Sequence, residues 1–291
     1  VGEWAGGDGA LSDENATEEV PEPDDEEESR SILEDWRDTL RFGITSQIIE
    51  LMPTLRDERV TELEPEVAAL LNSTRNEELQ VEILTYHREL ELPGAQSMAL
   101  QLLGEYQETG GRVIQASIRY LSDVPLDDPE RRGEVAALLT EIMRQGAPQT
   151  AASAARGVST YGEELGVETI IELYEESLNE DIQAALILAL GDLGRQEAFD
   201  FLAEIAEDTA APTILRQYAL DSLGKLGDTE AVPIIADLLG AQNSLLRAYA
   251  VNALGRFDNQ EAAEGLMAAL RDEFWRARVF ALQGVARLEL E

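Results

Sequence analysis

Apolar positions in the second half of the chain recur at helical spacing. Ala198, Leu202, Ile205 and Ala206 fall at offsets 0, 4, 7 and 8, and two further sets, Ala231/Ile235/Leu238/Leu239 and Ala262/Leu266/Ala269/Leu270, repeat that pattern. Each set predicts one apolar stripe of a 3.6-residue helix. A second helix is predicted after each stripe. Its anchors, Leu190-Gly191, Leu223-Gly224 and Leu254-Gly255, are 33 and 31 residues apart, and a degenerate Val285-Ala286 follows after another 31. The segments Ile214–Gly227 and Leu245–Asp258 are identical at six of 14 positions, and Arg278, Phe280, Ala281 and Leu282 mark a third copy. Two registered helices per repeat predict a helix hairpin whose copies stack on one another.

Small residues support this picture. Gly191, Gly224 and Gly255 lie near the end of each second helix, where a missing side chain lets the next helix approach. Gly194 and Gly227 stand where a helix stop favours a left-handed residue. Asp228 can cap the following helix, and Pro233 falls in a first turn, where its missing N–H costs little. Upstream, periodicity predicts helices at 64–72 with 77–90, 95–107 with 111–122, 133–145 with 148–160, and 164–177 with 180–192. A first pair or an atypical cap is predicted within 31–56. The expected fold is therefore all-α, an α-α superhelix of about eight helix pairs over 31–291. Its largest interruption, 122–133, is the expected hinge. Residues 1–30 are rich in Gly, Pro and acids and are expected to form a disordered tail.

The segments GDTEAVPIIADLLGAQNSLLRAYAVNALG and EAAEGLMAALRDEFWRARVFAL resemble HEAT repeats of the bilin-lyase-like subgroup. That subgroup shows an Asp in the inter-helix turn and an Arg early in the second helix, followed by Ala and Leu-Gly. Asp272 matches the turn acid; Arg216, Arg247 and Arg278 match the Arg. The resemblance implies a HEAT-like solenoid over 180–291, and it brings in attachment or removal of a tetrapyrrole as an alternative activity.

Charge narrows the range of partners. The formal net charge is −37. Residues 1–30 contribute −11, and the remaining 261 contribute −26, so the acidity belongs to the whole array. Such a surface repels phosphate backbones, which argues against nucleic acid. No apolar run approaches the roughly 20 residues that span a bilayer. Self-repulsion should weaken as salt screens it. The expected result is a melting temperature that rises as NaCl is raised, measured by circular dichroism, and a flat or falling trend would contradict it.

Little in the sequence points to chemistry. There is no cysteine and a single histidine, His87, in an amphipathic segment where a surface or half-buried structural role is expected. A zinc site has no ligand set to draw on. Phosphate-loop patterns are absent, and 16 aromatics over 291 residues read as packing rather than sugar platforms. No cofactor is expected. The sequons at Asn15 and Asn72 matter only in an exported chain, and a start at Val1 inclines the expectation toward export over the cytoplasm.

One constellation stands out as a candidate partner-binding strip. Stacked repeats align Arg216, Arg247 and Arg278, with Tyr218, Tyr249 and Phe280 two residues further on. The column reads either as an intramolecular ladder to turn acids and helix ends, or as a basic strip that grips a partner's carboxylates. The expected function is a non-enzymatic protein-interaction scaffold for a basic protein partner. Self-assembly through the last repeat, where Phe274 and Trp275 lie, is a further alternative.

Overall fold

The computed structural model describes residues 25–288, and these contain sixteen α-helices and no strand. The helices form eight consecutive antiparallel pairs: α1 (Asp25–Phe42) with α2 (Thr45–Asp57), α3 (Glu64–Ser73) with α4 (Glu77–Glu89), α5 (Gln96–Gly104) with α6 (Gly111–Asp123), and α7 (Pro129–Gln145) with α8 (Pro148–Leu165). They continue as α9 (Val167–Glu176) with α10 (Glu180–Leu193), α11 (Phe199–Glu207) with α12 (Thr213–Leu226), α13 (Ala231–Asp237) with α14 (Ser244–Leu254), and α15 (Gln260–Ala269) with α16 (Trp275–Arg287). Most of the acidic segment 1–30 lies outside the described residues, but its last six residues open α1.

Consecutive second helices, α2 to α16, pack against one another along the array, while first helices touch their neighbours less. The closely spaced second helices therefore form the inner, concave side. Small residues set that spacing. A Cβ built on Gly224 would lie 3.1 Å from the Ala253 Cα, and one on Gly255 would lie 3.2 Å from the Gly284 Cα. Gly284, not the expected Ala286, is thus the residue that faces the previous glycine. Gly194 and Gly227 have positive φ (65° and 74°) and end α10 and α12, as helix stops do. Asn side chains cap the second helices α4, α10 and α14 through Asn76, Asn179 and Asn243.

The stripe residues of α11 are buried throughout, but in α13 only Ala231 and Ile235 are. That helix is short and closes in a 3-10 turn at Leu238–Gly240, which turns Leu238 and Leu239 partly outward. In the first half a different device links the repeats. The buried hydroxyls of Tyr86, Tyr120 and Tyr161 donate to the carbonyls of Val60, Leu92 and Leu121 at 2.6, 2.7 and 2.7 Å. Burial raises the pKa of all three phenols, that of Tyr161 to about 12.

The 122–133 interruption is stitched to its surroundings. Gln96 donates to the carbonyls of Val124 and Pro125, Thr160 to Ser122, and Leu126 is buried. The apolar core divides along α8. Ala154 and Tyr161 pack with the N-terminal cluster, whereas Ala151, Ala152, Ala155 and Val158 pack with the C-terminal one.

Candidate functional site

Each arginine of the column reaches back to the turn inside its own helix pair. The Arg216 Nε donates to Ala206 O at 2.9 Å. Arg247 donates to Ala241 O at 2.8 Å and Gln242 O at 3.2 Å, and Arg278 to Asp272 O at 2.8 Å and Glu273 O at 3.0 Å. Arg247 also forms a two-pronged pair with Asp272 of the next turn, at 2.8 and 3.0 Å. The Asp272 Oδ1 accepts from the Phe274 N–H as well, so one carboxylate joins two pairs and starts α16. Hydrogen bonding to Arg247 lowers the Asp272 pKa against an opposing burial cost.

This geometry matches the intramolecular ladder. Two members that sequence reading missed extend it. Gln183 donates to Ser177 O at 2.9 Å, and Gln80 to Thr74 O at 3.2 Å, from the equivalent place early in a second helix. A neutral amide satisfies the same turn carbonyls, so closing the turn does not require positive charge. Tyr218, Tyr249 and Phe280 are half-buried and pack against the C-terminal core. The structure therefore places all six candidates on the second helices, with the guanidiniums engaged within the fold.

Several of the remaining bases link one repeat to the next. Arg37 pairs with Glu66, Arg56 with Glu82, Arg132 with Glu164, Arg144 with Glu176, Arg195 with Glu163, Lys225 with Asp192 and Arg256 with Asp221. Surplus carboxylates are left at the surface. Some of them line a cavity of about 740 Å3 at the α8–α9 junction, beside the turn from α10 to α11. Leu165, Val167, Ile171 and Leu193 supply its apolar lining. Glu163, Glu168, Glu172 and Glu197 also line it, and Arg195 is the only base there, already paired with Glu163.

A sequence model described as "Spirochaete HEAT repeat protein" matches residues 40–291. The chain belongs to this HEAT repeat family. No curated protein sequence matches it. An engineered protein of solved structure is similar in fold, with 17% identity and a TM-score of 0.51 over 89% of this chain and 75% of that one. A structure of human deoxyhypusine hydroxylase in complex with glycerol aligns at 18% identity and a TM-score of 0.39, over 90% of this chain and 98% of that one. The match extends HEAT repeats well upstream of residue 180, where the resemblance in the sequence fades.

Within this HEAT array His87 is completely buried, not at the surface or half-buried as expected. Its ring meets Tyr86 and Tyr120 edge-on, at centroid distances of 5.2 and 6.1 Å. Nδ1–H donates to Ile83 O at 2.8 Å, and Nε2 has no partner among the described residues. Burial lowers its pKa from the ordinary 6.5, so the neutral ring is the folded form. A depressed folded pKa means that stability is complete above about 6.5 and falls as acid protonates the unfolded chain preferentially. The melting temperature should therefore drop between pH 7.5 and 5.5, and His87→Gln should flatten that slope; parallel slopes would exclude His87 as its source. Among the described residues no cluster of His, Asp or Glu is arranged to hold a metal ion, and no helix is long and apolar enough to cross a membrane.

Proposed function

We propose that this HEAT repeat chain is a non-enzymatic interaction scaffold for a protein partner that is basic overall, engaged by the concave second-helix side and by the acid-rimmed cavity at its edge. The cavity is the observation that carries this reading. Its aliphatic lining suits the methylene stem of a lysine or arginine, while Glu168, Glu172 and Glu197 have no base paired with them among the described residues. The negative field of the array speeds encounter with such a partner and makes the rate depend on salt. A fluorescent hexa-arginine peptide should bind more weakly at 300 mM than at 50 mM NaCl and lose about tenfold affinity in Glu168→Gln/Glu172→Gln/Glu197→Gln. Salt-independent binding, or binding unchanged in the triple variant, would overturn it. The residues behind the bilin-lyase resemblance, Arg247, Asp272 and Arg278, hold turns and repeats together and bring no chemical site with them.

A second reading, self-assembly through the last repeat, is favoured by one observation. Ala248 and Val251 on α14 are 1% and 0% exposed, whereas Val279 and Leu282, 31 residues further on, are 39% and 59% exposed. Trp275 extends that apolar face with 56% exposure. Light scattering across a concentration series tests it: association abolished by Leu282→Asp supports the reading, and a monomer at every concentration rejects it.

A further inference from the structure

We propose that the groove between α4 and α6 is a binding site for an acidic peptide segment, gripped through carboxylates by Arg112 and Arg119 and flanked by Arg88. The inference rests on the scaffold reading above and adds a second, oppositely charged contact to it. In a chain with 59 acids and 22 bases, this groove of about 220 Å3 has three arginines in its lining and no carboxylate. Gln115 adds a side-chain amide, Thr85 donates its hydroxyl proton to Val81 O at 2.7 Å within α4, and Val81 and Ala116 give the groove an aliphatic surface.

The state of these arginines separates them from the ladder and from the inter-repeat pairs. Arg112 and Arg119 are exposed, and among the described residues neither makes a hydrogen bond or an ion pair. Arg88 is partly neutralised, with Glu89 at 3.2 Å and Asp123 at 3.8 Å. Two guanidinium forks are therefore without acceptors, and their planar geometry suits paired carboxylate oxygens. Arg112 and Arg119 lie two helical turns apart, roughly 10 Å along α6. An extended segment covers that distance in about three residues, so acids spaced three apart can meet both forks.

A peptide rather than a nucleic acid fits the surroundings. A phosphate backbone crossing the array would meet its excess of carboxylates beyond the groove, and duplex binding needs many neutralised phosphates together. A short acidic stretch within a basic partner avoids that repulsion. Net-charge repulsion is screened over about 10 Å at 0.1 M salt, whereas the contact pairs act at shorter range. Binding of the acidic segment should therefore depend on salt much less than binding of the basic peptide.

The test uses the full chain and a fluorescent hexaglutamate peptide, followed by anisotropy at 50 and 300 mM NaCl. Expected is saturable binding that weakens less than threefold across that range and at least tenfold in Arg112→Gln/Arg119→Gln. Both positions are exposed, and unchanged circular dichroism would show that the variant folds. The hexa-arginine peptide should bind this double variant as it binds the original chain. No hexaglutamate binding, or binding that the double variant leaves intact, overturns the groove assignment. Complete displacement by an equimolar amount of inorganic phosphate or of duplex DNA overturns the peptide assignment. Loss of hexa-arginine binding in the Glu variants with hexaglutamate binding retained supports the two as separate sites. Failure of hexa-arginine to bind the original chain would sink the basic-partner reading alone.

Discussion

Gly191→Ala is expected to destabilise the array by about 3 kcal/mol and to split its unfolding into two steps. A Cβ at Gly191 would lie 2.7 Å from the Ser222 Cα and 2.6 Å from its Cβ. Because one of these is a backbone atom, changing the Ser222 rotamer gives no relief, and α12 must move away from α10. The Ser222 hydroxyl donates to Ile187 O at 2.9 Å across the same contact, so movement also leaves a buried carbonyl short of a donor. In a repeat array cooperativity is carried by nearest-neighbour interfaces, and weakening this one uncouples α12–α16 from the helices before it. Calorimetry should show two transitions, and amide exchange should assign the earlier one to a contiguous block on one side of the contact. Gly133→Ala is the control. It lies in the first half of α7 with nothing within 4 Å of the added methyl, and should stabilise by roughly 0.5–1 kcal/mol. A single transition at the original temperature in Gly191→Ala would show that this contact does not set the spacing of the array.

The contrast between these glycines explains how far the fold could be read from sequence. In the second half the same device recurs at nearly constant intervals, a small residue on each second helix facing the next, and so the period is visible. In the first half the corresponding work falls to Tyr86, Tyr120 and Tyr161, whose spacings of 34 and 41 residues conceal any period. The longer spacing reflects the length of α7 and α8. Pro129 begins α7 four residues before its predicted start, with Asp128 as cap, and α8 continues past 160 through a local break at Tyr161 (φ −114°, ψ 17°).

The candidate column was legible as a set of aligned residues, because sequence period and stacking are the same fact. Which acceptors the arginines would choose was not, since turn carbonyls carry no sequence signature. Gln80 and Gln183 escaped because a difference in residue type hid a shared role. The groove residues Arg88, Arg112 and Arg119 could not have been grouped from sequence. They come from two helix pairs, and what distinguishes their groove, a lining without a carboxylate, exists only once the acids are placed.

Tyr161→Ala should produce a loss of similar or larger size, about 4 kcal/mol, and should reveal where the array parts. The Tyr161 ring is fully buried against the N-terminal core, its hydroxyl holds Leu121 O, and the Arg132 guanidinium lies 5.0 Å from the ring centroid. Arg132 in turn donates to Thr160 O at 2.8 Å and pairs with Glu164. Removing the ring therefore opens a cavity, leaves a helix-end carbonyl without its donor and takes away the surface on which Arg132 rests. Tyr161→Phe separates these effects. It keeps the packing and the cation–π contact but loses the hydroxyl, at about 1–2 kcal/mol, so stability should rank original chain, Phe, Ala. The position of the first opening is the sharper readout. The two cores meet on α8, and 124–128 is tied down on both sides, so hydrogen exchange in Tyr161→Ala should accelerate first in α8 and the end of α6. Acceleration confined to 124–128 would place the hinge at the interruption that the sequence suggested. Acceleration along α8 would show that the array bends where one helix serves two cores, an arrangement that leaves no gap in the hydrophobic pattern to mark it.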